Sequence, residues 1–204
     1  MKSYLSLAIL CVGFMPSSGF AGDFKEPSSA EITTAIKTFQ LHGEWIHPKI
    51  IKEFLPLQAD HQVSLVQAID VGAATGTNRY FGETKFQDEA KRIPSFSTEE
   101  GESISYEWKG RLQNGMHVLL TRESGAGTLV STNLLVFRLK KGTGTKADGK
   151  KYRQLNLKIE RAVNLGDRAI PIVAIKGNAI EVNSEFNGAR KSESKTITFP
   201  KATL

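Results

Sequence analysis

Alternation of apolar and polar positions dominates the second half of the chain. Leu155, Leu157 and Ile159 take one side of a run in which Gln154, Asn156, Lys158 and Glu160 take the other. A period of two predicts a strand with one buried and one wet face. Upstream, residues 129–139 are apolar on both sides from Leu134 to Val136, as in a strand covered on both faces. The polar, Gly-rich residues 140–151 between them read as a turn. Together these runs predict a long antiparallel hairpin at the centre of the fold, with Leu155, Leu157 and Ile159 buried.

The same pattern recurs on either side. Ile104, Tyr106 and Trp108 alternate with Ser105, Glu107 and Lys109, and Asn114-Gly115 is a hairpin-turn dipeptide leading to a return strand at 116–120. Leu165-Gly166-Asp167-Arg168 reads as a turn into a strand at 170–175. Pro171 has no N–H to give a ladder, which places that strand at an edge or has it begin there. Lys176-Gly177-Asn178 turns the chain into 179–182, residues 183–194 read as loop, and 196–199 make a short last strand.

Helical spacing is confined to the N-terminal part. Ser28-Ser29-Ala30-Glu31 has capping-box spacing ahead of Ile32, Ala35, Ile36 and Phe39, with Gly43 as the expected C-terminal cap. Pro48 opens a second short helix bearing Ile50, Ile51, Phe54 and Leu55. Residues 63–71 have the composition of a buried strand, 72–78 of a small-residue loop, and 84–101 of a charged irregular stretch. The expected fold is mainly β: a single antiparallel β-sandwich or flattened barrel with a short N-terminal helical pair.

Residues 1–21 change the picture by standing outside that fold. Lys2, an apolar run over 4–14, and Gly19 and Ala21 at the −3 and −1 positions have the form of a secretory signal peptide. The run falls short of the roughly 20 residues of a membrane span. The expectation is cleavage after Ala21, no transmembrane segment after processing, and an exported chain, periplasmic or secreted, forming one domain over 22–204. The one cysteine, Cys11, lies in the leader, so the mature chain has no disulfide and no thiolate chemistry. Its charge is unevenly placed. Residues 22–137 carry 11 basic against 15 acidic residues, and residues 138–195 carry 14 against 6. Nothing in the pattern fixes an oligomeric state.

Motifs for common chemistries are missing. There is no G-x-S-x-G, H-E-x-x-H, Walker loop or C-x-x-C, and Gly142-Thr143-Gly144 lacks the third glycine and the following helix of a dinucleotide fingerprint. No cofactor is expected. Ser192 and Lys195 have S-x-x-K spacing, but in a polar tail where nothing desolvates the base. His42, His47 and His61 with Glu44 and Asp60 offer metal-type donors in a short window, interrupted by Gly43 and Pro48. Trp45, Tyr80, Phe81, Tyr106, Trp108 and Tyr152 are stacking candidates, of which the alternation assigns Tyr106 and Trp108 to the core. Asn78, Arg79, Tyr80 and Phe81 form a candidate ligand contact. Basic residues are not interleaved with stacking aromatics as nucleic-acid binding requires, so no nucleic acid is expected.

Three functions follow from these absences. The leading one is an exported non-catalytic binding or structural protein. One alternative is a hydrolase of envelope or extracellular polysaccharide with carboxylates from separate strands, and the other is a metal-binding protein. Lys140, Lys141, Lys146, Lys150 and Lys151 lie in the predicted hairpin turn, with Asp148 the sole acid among them, and are expected to project together from one end of the domain as a candidate weak contact with an anionic envelope polymer or lipid surface.

Overall fold

Ser28 caps the first helix as its sequence predicts. Its side chain accepts from the Glu31 N–H at 3.2 Å, and the Glu31 carboxylate accepts from the Ser28 N–H at 2.7 Å. The computed structural model describes residues 25–55, 66–76, 84–125, 127–186 and 189–201, giving the backbone alone at 75, 76, 184–186 and 189–193. The leader-like residues 1–21 lie outside the described residues. In chain order the elements are α1 (Ser29–Thr38), β1 (Gln40–Leu41), β2 (Glu44–Trp45), α2 (Pro48–Lys52), β3 (Ala68–Asp70), α3 (Val71–Gly76), β4 (Lys85–Asp88) and β5 (Ile93–Ser97). The remainder is strand: β6 (Ser103–Arg111), β7 (His117–Ser124), β8 (Val130–Thr145), β9 (Lys151–Asp167), β10 (Ile170–Lys176), β11 (Ala179–Phe186) and β12 (Ala189–Thr198).

The protein is mainly β, with twelve strands and three short helices among the described residues. Seven strands form an antiparallel sheet in the order β3-β9-β8-β7-β6-β5-β4, and β10-β11-β12 form a second sheet. Among the described residues the large sheet is open rather than closed into a barrel. Its two faces carry separate cores. Leu119, Leu135, Phe137, Leu139, Leu155 and Leu157 pack under Ile32, Phe39, Ile50, Ile51 and Phe54 of the helical layer. Val118, Leu120, Leu134 and Val136 pack under Ile180, Val182 and Ile197 of the small sheet. This accounts for the two-faced hydrophobicity of residues 134–136, since β8 is covered on both sides. The helical layer is also pinned by Tyr106, whose buried hydroxyl donates to the Ile46 carbonyl at 2.5 Å. Burial raises that phenol well above its ordinary range.

The central hairpin has the expected register. Leu155 and Leu157 are fully buried, Ile159 is half-buried, and Lys158 faces solvent. Pro171 lies on β10, an edge strand of the small sheet, as its missing donor requires.

Six local expectations are corrected. The first helix ends at Phe39, which takes a left-handed conformation (φ 60°), whereas Gly43 (φ 82°) follows His42 (φ 56°) in the tight β1–β2 turn. Complete burial of the Phe39 ring offsets the roughly 1–2 kcal/mol of left-handed strain. The strand expected over 63–71 is only β3 among the described residues, and Val71 instead begins α3. Asp70 Oδ1 accepts from the N–H groups of Gly72 (3.1 Å) and Ala73 (3.4 Å), which turns the expected small-residue loop into a helix. Residues 85–97 form the β4–β5 edge hairpin, and 183–186 and 189–194 continue β11 and β12. Interstrand pairing, rather than a local apolar alternation, makes both segments strands. Finally, the turn between β8 and β9 shrinks to residues 146–150, since pairing runs unbroken to Thr145↔Lys151.

Candidate functional site

The β8–β9 hairpin outruns the small sheet. On these two strands the second core ends at Val136 and Val163, so the face carrying Arg138, Lys140, Gly142 and Gly144 on β8 emerges from under that layer. Opposite them stand Lys158, Asn156, Gln154 and Tyr152 of β9, paired in that order. The other face stays packed: Leu139, Leu155 and Leu157 join the helical core, and the Arg153 N–H donates to the Glu26 carboxylate at 2.9 Å.

Gly142 and Gly144 have no left-handed backbone, so turn geometry does not explain them. Their neighbours do. A Cβ at Gly144 would lie 2.5 Å from the Tyr152 ring, and one at Gly142 would lie 2.5 Å from Asn156 Nδ2. The glycines let the β9 side chains lie flat across β8, with the Tyr152 ring over the Gly144 backbone. This is the close-approach use of glycine in a strand.

These side chains form a directed chain of hydrogen bonds. Asp70 lies beside β9 with its register at Asn156, and a carboxylate only accepts. Tyr152 therefore donates to Asp70 Oδ2 (3.1 Å), and its oxygen accepts from Gln154 Nε2 (3.0 Å). Gln154 Oε1 in turn accepts from Asn156 Nδ2 at 3.4 Å. The Asp70 charge thus orients both amides, and bonds in such a chain polarise one another. The Tyr152 phenol is raised above its ordinary range, first by desolvation and also by the Asp70 carboxylate. At the far end the chain opens onto exposed Lys140, directly opposite Asn156, and exposed Lys158, and neither forms an ion pair among the described residues.

The five lysines of the basic stretch are dispersed rather than gathered at one tip. Lys146 and Lys150 close the turn, where Lys146 N–H donates to the Lys150 carbonyl at 2.8 Å. Lys150 pairs with Asp148 at 3.2 Å, and Lys151 begins β9. Lys140 and Lys141 lie about 20 Å back along the strand at ~3.4 Å per residue, on opposite faces. The other candidate contact, Asn78, Arg79, Tyr80 and Phe81, lies outside the described residues, as do Asp60 and His61 of the histidine window.

The remaining candidates have structural explanations. His42 Nδ1 meets Glu31 at 2.9 Å, and His47 caps α2 by accepting from the Lys49 N–H at 3.1 Å. Glu31 is lowered to about 2, first by the Ser28 N–H. Among the described residues no group of three His, Cys, Asp or Glu side chains is placed to hold a metal ion. Ser192 and Lys195 lie three residues apart on strand β12, not at a helix start. Trp45 packs against both Tyr106 and Trp108, with centroids 5.9 Å apart for the two tryptophans. His117 is buried. It accepts from Trp108 Nε1 at 3.2 Å and donates to the Ile36 carbonyl at 2.9 Å, and burial lowers it to about 4.

One carboxylate pair from separate elements does converge. Lys52 lies 2.7 Å from Glu102 and 3.8 Å from Glu123. Its hydrogen bond lowers Glu102, while desolvation raises half-buried Glu123. The pair thus has the divergent proton affinities of an acid and a base. The Lys52 ammonium hydrogen-bonds to Glu102 and pairs with Glu123 at longer range, however, and so ties the end of α2 to the sheet.

Sequence reasoning missed Asp70, Gly142, Gly144 and Gln154 as parts of one site. The available signal was Tyr152, Gln154 and Asn156 on the wet side of a strand facing glycines across the turn. Compared with known protein families, curated proteins and solved structures, the chain matches none of them.

Proposed function

We propose that the protein is an exported, non-catalytic binding protein whose β8–β9 hairpin contacts polyanionic envelope material. The observation that carries this reading is the open face of the hairpin. There Lys140 and Lys158, without ion-pair partners among the described residues, stand beside a preoriented row of amides. Export rests on the leader-like residues 1–21. Each lysine near an anionic surface contributes on the order of 1 kcal/mol, so the contact is weak per residue, multivalent and released by salt.

The test is retention of the mature chain on immobilised polyanions in a salt gradient. Two variants of equal net charge are compared. One has Lys140, Lys141, Lys146, Lys150 and Lys151 changed to Gln; the other has exposed Lys25, Lys37, Lys85, Lys195 and Lys201 changed to Gln. The expected result is early elution of the hairpin variant alone. Equal elution of the two would show that net charge, and not the hairpin, governs binding.

A further inference from the structure

We infer that the free edge of β10 is a docking site for an extended peptide segment of a partner protein, one that alternates β-branched with polar residues and turns an acidic side chain towards Arg122. The site lies apart from the hairpin face and does not depend on the polyanion contact.

The register of the small sheet fixes what that edge offers. Lys176 and Ala179 flank the two-residue turn Gly177-Asn178, so they exchange both of their backbone bonds. Alternation gives the same role to Ala174, Ile172 and Ile170, and Pro171, Val173 and Ile175 point their backbone groups away from β11. No strand pairs with β10 on that side. Among the described residues the backbone groups of Val173 and Ile175 meet no hydrogen-bond partner there. Pro171 blunts only its own position, since it has no N–H to give. The edge thus keeps donors at Val173 and Ile175 and acceptors at all three residues. An antiparallel strand can exchange both bonds with Val173 and with Ile175, and give a further N–H to the Pro171 carbonyl.

The surroundings leave room for one added strand. β10 is entered above β8, where the Ala169 carbonyl accepts from Thr132 Oγ1 at 3.3 Å. It ends above β6, where the Ile175 side chain would lie 3.2 Å from a Cβ at Gly110. Past β6 the large sheet continues as β5 and β4, and among the described residues no side chain of either joins the second core. These two strands form a ledge about 10 Å wide, set about 10 Å below the plane of β10. A second copy pairing edge to edge about a two-fold axis would bring its own β4 and β5 into the layer of this ledge. A single extended chain brings no such layer, and the step favours it for that reason.

Side chains on the two faces of the edge specify the rest. Ile172 and Ile170 are 65% and 59% exposed, and with exposed Ala174 they form the outer row. Residues opposite Ile172 and Ala174 would make the close, non-hydrogen-bonded pairs of the new ladder, where β-branched partners cover the apolar surface. The intervening residues face the ledge. Arg122, Ser105, Ser95 and Lys85 are register partners in one row across it, on the face shared by Thr132. Arg122 and Lys85 are exposed and form no ion pair among the described residues, whereas Glu107 is held by Lys109 at 2.8 Å. The ledge is therefore net positive. Because β10 runs from above Thr132 towards Gly110, Pro171 is the outward-pointing residue nearest Arg122. An acid opposite Pro171 meets that guanidinium.

The test titrates the mature chain with a labelled peptide, Thr-Val-Thr-Ile-Glu-Val, whose residues stand opposite Ile175 to Ile170 in that order, and reads binding by fluorescence anisotropy. N-methylation of the second threonine, opposite Val173, removes a donor to β10 and is expected to weaken binding by about tenfold. N-methylation of the isoleucine, whose N–H points away from β10, is expected to leave it unchanged. Val173→Pro is expected to weaken binding by about tenfold with thermal stability retained, since the edge already holds Pro171. Pro171→Val supplies an outward N–H and is expected to tighten binding by about threefold to tenfold. Arg122→Gln should weaken binding of this peptide but not of its counterpart with glutamine for glutamate. No binding by wild type overturns the site, and so does equal loss from the two methylations. Unchanged affinity in both Val173→Pro and Pro171→Val overturns it as well. A dimer in sedimentation velocity that Val173→Pro abolishes, with no peptide bound, would overturn it by assigning the edge to a second copy.

Discussion

Replacement of His117 is expected to remove a large part of the acid sensitivity of the fold. The imidazole is fully buried in the helical-face core, with its ring centroid 5.0 Å from that of Phe39. Its two nitrogens serve one neutral tautomer, Nε2–H donating to Ile36 and Nδ1 accepting from Trp108. Protonation of Nδ1 would set a donor against the Trp108 N–H and place a charge in a desolvated site. Burial accordingly lowers the group from 6.5 to about 4, with nearby Arg111 acting in the same direction. Between those values the unfolded chain takes up the proton and the folded chain does not. The stabilisation is complete above pH 6.5 and is lost as pH falls towards 4. At 1.36 kcal/mol per pKa unit its full size is about 3 kcal/mol. The assay is urea unfolding of wild type and His117→Gln at intervals from pH 7.5 to 4. Gln keeps a donor for Ile36 but leaves the Trp108 N–H without its acceptor, so the variant should be less stable at pH 7 by about 1–3 kcal/mol. Its disadvantage should shrink as pH falls. Glu123, raised by burial, acts in the opposite direction, and Glu31, lowered to about 2, acts in the same direction, but both are common to the two proteins. A constant difference between the curves, or an imidazole resonance of folded His117 titrating near 6.5, would refute the reasoning.

Gly144→Val is expected to destabilise by about 1–3 kcal/mol despite the strand preference of valine, because its Cβ would meet the Tyr152 ring at 2.5 Å. The loss should shrink but not vanish when Tyr152 is also changed to Ala, because Gln154 Nε2 lies 2.6 Å from the same Cβ, as melting temperatures of the four proteins in the cycle would show. Leu157→Ala, at a fully buried site, should cost about 2–5 kcal/mol in urea unfolding. Ile172→Lys, at a site 65% exposed on edge strand β10, should change stability by no more than about 0.5 kcal/mol. It should also reduce self-association in sedimentation velocity, since a charge blunts a strand edge. Ser28→Ala removes one of the two bonds of the capping box and should cost about 1 kcal/mol, measured by thermal unfolding.

The sequence alone determined those elements whose burial repeats along the chain. Leu155, Leu157 and Ile159 marked the buried side of β9, residues 134–136 marked a strand covered twice, and Pro171 marked an edge. Ser28 and Glu31 marked a helix start because both capping partners lie three residues apart. Each of these signals is complete within a few residues. The strands without such a local pattern were not legible in the same way. In β4, β5 and β12 the pairing neighbours supply what the local pattern lacks, since a strand left largely wet needs no apolar alternation. Glycine was ambiguous for a different reason: the letter does not say whether φ or space is required. Gly142 and Gly144 read as a loose turn, and only the Tyr152 and Asn156 side chains lying across them show that space was the reason. The candidate site depended most on tertiary structure. Asp70 and Tyr152 are 82 residues apart, and their contact orients the whole amide row. Pairing of β3 with β9 brings them together, and pairing of β8 with β9 through Thr145 carries Lys140 and Lys141 away from the turn. Register between distant strands is set by the burial of whole faces, so these juxtapositions exist only once both cores have formed.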